Sequence, residues 1–338
     1  MRKIILISLL SFFIFNFCKA IFAEESSATV FVYHRFDENK YPSTNIKMEQ
    51  FESHINEIMD NKYNVLSITE IVDHLINKKK LPPKTIGITI DDAFKSVYKK
   101  AWPLLKTSGL PFTIFVATSP VDSMSKNYMN WADIKLLADS GVTIGHHTVT
   151  HDHLAEETEE KWENEIEGAN RSFRDNLGFV PDIFSYPYGE YSMNLKEFIK
   201  KKNFKAAFGQ QSGVMFKEID IFELPRFSLN ETYGTISRFK FAANALPIAV
   251  KEITPRNLVI ENINPPLMGF TLINEIEGNI KCYPSHNINA NVTKLSNTRL
   301  EIRFNKKFPV GRTRVNCTTN NNKKWRWFGL QFFNGQKN

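Results

Sequence analysis

The sequence predicts an α/β protein, a parallel sheet or barrel with helical crossovers over residues 29–230, followed by a small all-β domain. Three observations carry this reading. Runs with the two-residue period of a strand alternate with runs of helical period as far as about residue 230. The polar residues with chemical potential stand where those strands end: His34, Asp91-Asp92, the histidines after Gly145, and Tyr188. After about residue 255 short strand-like runs take over, separated by Asn- and Thr-rich turns.

The chain starts with a basic pair, Arg2 and Lys3, then an apolar run over residues 4–17 and a small-residue cleavage site at Ile21-Phe22-Ala23. Residues 1–23 are therefore expected to be a signal peptide, and the mature protein to be exported, periplasmic or secreted. The run is short of the roughly 20 residues that a membrane span needs. No later stretch is long and apolar enough, so no integral membrane segment is expected after signal removal. Losing Arg2, Lys3 and Lys19 lowers the formal charge from +7 to +4. No arginine-rich helix or aromatic–basic motif accompanies that mild excess, which argues against a nucleic-acid partner. Of three cysteines, Cys18 lies in the signal. Cys282 and Cys317 remain, an even pair in an exported chain, and a disulfide is expected, with two buried thiols as the alternative.

The elements follow in order. Residues 29–34 form an apolar strand ending in His34, and residues 47–59 have helical period. Residues 65–68 are a brief strand, followed by a helix over 69–76 and a loop at Leu81-Pro82-Pro83. In residues 85–91, Ile86, Ile88 and Ile90 alternate with Gly87, Thr89 and Asp91, the pattern of a strand that delivers two adjacent carboxylates to its end. Apolar residues at 94, 97, 98, 101 and 105 then mark one helix face. Strands are expected at 111–117, 142–145, 183–189 and 205–208, and helices at 131–139, 156–177 and 195–202. Pro255, Pro265 and Pro266 punctuate a linker, which sets the expected domains at residues 24–254 and 255–338. In the second domain, strands are expected at 269–273, 279–283, 300–304 and 325–333.

The stretch from His146 to His153 holds four of the chain's eight histidines. His147 and His151 are close enough to converge on one cation, and neutral imidazole suits zinc and other divalent transition metals. A histidine-rich surface loop is the alternative. Two histidines and one Asp make a three-ligand site with open positions, which leaves the second Asp for proton transfer. Adjacent strand residues point opposite ways, so Asp91 and Asp92 need not do the same job.

Thr89-Ile90-Asp91-Asp92-Ala93 resembles the first motif of the polysaccharide deacetylases (carbohydrate esterase family four), Thr-Phe-Asp-Asp-Gly. His147-Thr148-Val149-Thr150-His151 resembles the second, His-Ser/Thr-x-x-His, and Ser185-Tyr186-Pro187-Tyr188-Gly189 the third, Arg-x-Pro-Tyr. The three occur in the family's order over residues 29–230. The resemblance implies a distorted (β/α) barrel of about seven repeats and metal-dependent removal of acetyl groups from an N-acetylated glycan. It also implies Zn2+ or another divalent transition metal, with Asp92, His147 and His151 as ligands, Asp91 as the base, and the backbone N–H of Tyr188 at the oxyanion.

The departures from the family pattern shape further expectations. Ser185 stands where many members carry an Arg that orients the base, and Arg226 offers that charge from a later strand end, or else makes a surface salt bridge. The family's late Leu-x-His acid is not visible, so His34 is the substitute, with His153 second; a structural role for His34 is the alternative. Trp131 and Tyr188 are candidate walls of a sugar groove, though Trp131 also opens an amphipathic helix. Trp325 and Trp327 share one strand face, as a glycan platform or as β-domain core. Two rival functions remain: a metal-dependent C–N hydrolase acting on a non-glycan amide, and a non-catalytic glycan binder with a degenerate site.

Overall fold

The computed structural model describes residues 26–321 and 324–335. Residues 1–23, where a signal peptide is expected, lie outside them. Among the described residues no helix is long and apolar enough to cross a membrane.

Ser27–Tyr33 (β1), Thr85–Asp91 (β2), Thr113–Val116 (β3), Thr143–His146 (β4), Ile183–Ser185 (β5) and Ala206–Phe208 (β6) lie side by side in that order, every neighbouring pair parallel. Residues 224–228 span the gap between the last strand and the first. Leu224 bridges Phe208, and Phe227–Ser228 (β7) runs parallel beside β1. The sheet is thereby curled into the expected distorted barrel.

The alternation in β2 has a direct structural consequence. Ile86, Ile88 and Ile90 point outward into the layer between sheet and helices, where they join Phe51, Ile55, Leu105 and Ile134. The other face looks into the barrel, among Val30, Phe115, Ile183, Ala206, Phe208 and Leu224. The helix Ile68–Ile76 (α1) fills this interior from one end, since a Cβ on Gly87 would lie only 2.8 Å from Ile68 Cδ1 and 2.9 Å from Ile71 Cδ1. Gly145 does the same for Phe115, whose Cδ1 would stand 2.3 Å from an added Cβ. Helix Trp131–Asp139 (α2) is capped by Asn130, and the long helix Glu159–Leu177 (α3) ends on Gly178 at φ 81°. The helix expected straight after Asp92 starts later. Asp92 and Ala93 both have positive φ, and Phe94 bridges Tyr128 before helical turns begin at Val97.

The second domain is a sandwich of two four-stranded sheets, and it begins earlier than residue 255. A short helix Ile236–Ala243 (α4) precedes Leu246–Pro247 (β8) and Val250–Thr254 (β9), and these two strands already belong to different sheets of the sandwich. Their apolar residues read in sequence as the tail of the barrel. Next come Met268–Leu272 (β10), Lys281–Pro284 (β11), Ala290–Lys294 (β12), Arg299–Phe304 (β13), Gly311–Asn321 (β14) and Lys324–Asn334 (β15). One sheet has the order β8-β15-β14-β11 and the other β9-β10-β13-β12. Cys282 and Cys317 sit directly opposite each other on β11 and β14 and are joined by a disulfide. Trp325 and Trp327 do share one face, but that face lies on the barrel: both rings meet Phe241 of α4, and Trp327 also meets Phe227 of β7.

Candidate active site

The polar residues named from strand ends, His146 excepted, gather at one mouth of the barrel. Asp91, the last residue of β2, is fully buried and faces inward. Arg226 reaches it from the closing segment with Nη1 donating to Oδ1 at 2.7 Å and Nη2 donating to Oδ2 at 2.9 Å. The same guanidinium donates to Thr89 Oγ1 at 3.1 Å, Ser185 Oγ at 2.8 Å and the Gly209 carbonyl at 2.9 Å. It is fully buried, with the rings of Phe115 and Phe208 at 5.3 and 5.9 Å. The small Ser185 side chain leaves room for this arrangement. Burial pushes the Asp91 carboxyl up, but the charges of Arg226 and His147 and the Arg226 hydrogen bonds outweigh it, and the group is held well below the usual carboxylate range.

Asp92 turns the other way at φ 77° and presents Oδ1 at 3.3 Å from His151 Nε2 and 3.6 Å from His147 Nε2. His147 Nδ1 lies 2.7 Å from the Ser185 carbonyl oxygen. A carbonyl only accepts, so Nδ1 carries the hydrogen and Nε2 offers its lone pair to the mouth, the arrangement found in metal-binding histidines. Burial holds His147 neutral, at a pKa of about 4. Asp92 Oδ1 and His147 Nε2 are buried without a hydrogen-bond partner. Together with His151 they place three ligand atoms within 4.8 Å of one another. A divalent cation satisfies all three, so the donor set fits the expected metal.

Strained backbone accompanies the cluster. Asp92, Ala93, Thr148, His151 and Tyr188, none of them glycine, have φ between 55° and 77°. Such residues cost about 1–3 kcal/mol each and persist where the surroundings over-determine them. Glu165 of α3 is one such determinant, accepting from the backbone of Val149 at 3.0 Å and of Thr150 at 2.8 Å, and from Thr150 Oγ1 at 2.6 Å. It was missed in the sequence among the other charges of α3. Its place on the buried stripe with Trp162, Ile166, Ala169 and Phe173 is the signal that marks it.

His34 stands just past β1, partly buried. Burial lowers its pKa more than the charges of Asp92 and Asp91 raise it, so the ring is neutral at ordinary pH. Tyr188 meets the edge of His151 at 4.5 Å on one side and stacks on His153 at 4.0 Å. His146, in contrast, points outward among Phe173, Phe184 and Phe204 and is a core residue. Trp131 is the one expectation that the structure moves away from the site. Its ring packs edge-on against Phe173, and its Nε1 donates to Asp122 at 2.8 Å. Tyr128, three residues earlier, stands nearer instead: after burial, the charge of Asp92 is what most raises its pKa.

Comparison with known proteins agrees with this geometry. Residues 78–207 match the family model described as polysaccharide deacetylase. YxkH of Bacillus subtilis (strain 168), which carries that family's name, is 25% identical over 197 residues, spanning 58% of this chain and 69% of its own. Over residues 78–207 the barrel matches the polysaccharide deacetylase family. Among other relatives, the poly-beta-1,6-N-acetyl-D-glucosamine N-deacetylase of Staphylococcus aureus is 21% identical over 213 residues, or 60% of this chain and 73% of its own. Two solved structures share the fold. IcaB from Ammonifex degensii has a TM-score of 0.59 at 23% identity and covers 66% of this chain and 99% of its own. The Streptococcus pyogenes deacetylase PplD has 0.59 at 19%, covering 64% and 98%. The match makes this protein a hydrolase of carbon–nitrogen bonds.

Proposed function

We propose that the protein is an exported, metal-dependent N-deacetylase acting on an N-acetylglucosamine-type polysaccharide or oligosaccharide. One observation carries the reading: three ligand atoms, two of them buried without a hydrogen-bond partner, converge beside a buried carboxylate that a bidentate arginine keeps ionised. A binding protein needs a cation or a sugar platform, but not a base beside the cation. The Cys282–Cys317 disulfide supports an oxidising compartment outside the cytosol.

Asp92, His147 and His151 would hold the ion, which supplies Lewis acidity towards a carbonyl oxygen and towards water. Asp91 takes the proton of the attacking water. Its Oδ2 is the oxygen nearer the cluster, 3.9 Å from His147 Nε2. Arg226 fixes the plane of that carboxylate, and Ser185 links the two halves by holding His147 through its carbonyl and Arg226 through its hydroxyl. The backbone N–H of Tyr188 is assigned to the developing oxyanion. The C–N bond then breaks, releasing acetate and an amine that needs one proton. A neutral His34 is a poor store of acidic protons, so the proton collected by Asp91 goes to the leaving nitrogen and His34 steers it there by hydrogen bonding. Tyr188 and Tyr128 flank the mouth; their phenols, kept protonated first by burial and then by Asp92, offer O–H donors to a sugar.

The test is metal analysis together with acetate release from a panel of N-acetylglucosamine polymers, with Asp91→Asn as control. Stoichiometric metal, acetate release and an inert control are expected. Bound metal with no acetate from any glycan moves the reading to a non-glycan amide, and no bound metal refutes the ligand assignment. Full turnover by His34→Ala removes His34 from the mechanism.

A further inference from the structure

The hairpin β14–β15 belongs to two cores at once. Its register sets Arg312 opposite Phe333, Arg314 opposite Gln331, Asn316 opposite Gly329 and Thr318 opposite Trp327. Residues directly opposite and two apart share a face. The intervening residues Val315, Cys317, Leu330 and Phe332 fill the sandwich core. The first set lies on the barrel, closely enough that a Cβ on Gly329 would stand 2.2 Å from the Ser212 carbonyl oxygen.

At one end this barrel-facing side reaches the third-motif loop. Gln331 Nε2 donates to the Tyr188 carbonyl at 3.0 Å, and Arg312 Nη1 donates to the same oxygen at 3.3 Å. Arg314 Nε donates to Gln331 Oε1 at 3.1 Å, which fixes the orientation of the amide. Phe333 stacks on His153 at 6.0 Å and 12°, and His153 stacks in turn on Tyr188 at 4.0 Å and 9°. His153 Nδ1 is held by Glu190 Oε2 at 2.6 Å, and Arg312 Nε lies 3.5 Å from Glu190 Oε1. That last approach is an ion pair without hydrogen-bond geometry, since Glu190 Oε1 has no hydrogen-bond partner.

Tyr188 needs such support. At φ 58° it occupies a conformation that a residue with a Cβ adopts only at a cost. Its carbonyl is held by Arg312 and Gln331 of the second domain, the Arg312 guanidinium also lies 5.4 Å from its ring, and that ring meets His151 at a steep angle. We propose that Arg312, Gln331 and Phe333 of the C-terminal sandwich are positioning residues for the barrel's site. They hold Tyr188 in its left-handed conformation and so set its amide and ring against the Asp92–His147–His151 cluster. The sandwich is then a component of the active site and not an appendage. This rests on the deacetylase reading of that site.

The test compares wild type with Arg312→Ala/Gln331→Met and with Arg312→Lys, reading bound metal, thermal midpoint, amide hydrogen exchange of peptides covering residues 187–190, and kcat and KM for acetate release. The double variant is expected to keep wild-type metal content and midpoint. Exchange at residues 187–190 should quicken at least tenfold, and kcat should fall about 10–100-fold, the range a displacement of about 1 Å produces, with KM little changed. Arg312→Lys, which keeps one donor, should fall between. Unchanged exchange, or an unchanged kcat despite faster exchange, overturns the proposal. So does a loss of kcat that merely tracks a lost midpoint in every variant. If wild type itself releases no acetate from any glycan, the functional reading fails instead, and exchange at residues 187–190 alone then decides whether the sandwich holds Tyr188.

Discussion

Replacing Arg226 with methionine isolates the contact on which the base depends. Methionine keeps much of the length and the packing against Phe115 and Phe208, but removes all five hydrogen bonds from a guanidinium with no solvent exposure. Asp91 is left as an uncompensated charge, also without exposure. Removing one partner of such a pair costs about 3–5 kcal/mol. At about 2–4 °C per kcal/mol for a domain of this size, the midpoint of metal-free protein should fall by roughly 10 °C. Asp91→Asn/Arg226→Met removes the stranded charge as well. It should be no less stable than Arg226→Met alone, with a coupling of at least about 2 kcal/mol. The assay is thermal or urea denaturation of the four proteins at pH 7.5 without metal. A drop under about 2 °C for Arg226→Met, or additive single effects, refutes the view that the pair is a buried, mutually dependent unit.

Other outcomes follow from the same geometry. Asp92→Ala and His151→Ala should each lower metal affinity by at least about tenfold, read by metal content after dialysis against a weak chelator, and leave the metal-free midpoint within about 1 kcal/mol of wild type. Burial lowers the pKa of His54 to about 4, of His146 to about 3 and of His147 to about 4. Each is neutral when folded and takes up a proton on unfolding below about 6.5, so stability is complete above that pH and drains as pH falls towards those values. At about 1.4 kcal/mol per group per unit, the three cost up to about 6 kcal/mol at pH 5, and a flat midpoint of metal-free protein between pH 7 and 5 contradicts this. Gly329→Ala forces a methyl group against the Ser212 carbonyl and should destabilise by about 1–3 kcal/mol, measured by urea denaturation. Reducing Cys282–Cys317, 35 residues apart, should cost about 2–4 kcal/mol, read as the midpoint with and without reductant.

The sequence made some of this legible and hid the rest for physical reasons. Strand alternation separates Asp91 from Asp92 because the side-chain period of two is local and needs no partner. Arg226 was readable as a stand-in for the base-orienting arginine only through the family resemblance, with a surface salt bridge as the alternative, because the contact with Asp91 joins residues 135 apart and no local pattern announces it. Besides Leu246–Pro247 and Val250–Thr254, two further sandwich strands, Ala290–Lys294 and Gly311–Asn321, are not legible in the sequence. Their Asn and Thr residues read as turns, yet in Gly311–Asn321 Asn316 and Thr318 occupy the face away from Val315 and Cys317, and in Ala290–Lys294 Asn291 and Thr293 alternate with Val292. Trp325 and Trp327 were readable as neighbours on one face, but nothing in a single sequence says that the face looks at another domain. For Trp131 the sequence leaves a sugar groove and core packing both open, and the helix it opens turns that ring towards Phe173.

The closing of the barrel by residues 224–228 orders events on a growing chain. Asp92, His147 and His151 are all synthesised before β5, whose Ser185 carbonyl then fixes the His147 ring, so the three candidate ligands need nothing beyond that strand. The carboxylate beside it has no counter-charge until Arg226 has emerged and its segment has slotted between Phe208 and Phe31. A nascent or truncated chain ending short of that point carries the means to capture an ion without the means to orient the base. Competence for hydrolysis therefore arrives only with barrel closure, which ties the chemistry to completion of the fold.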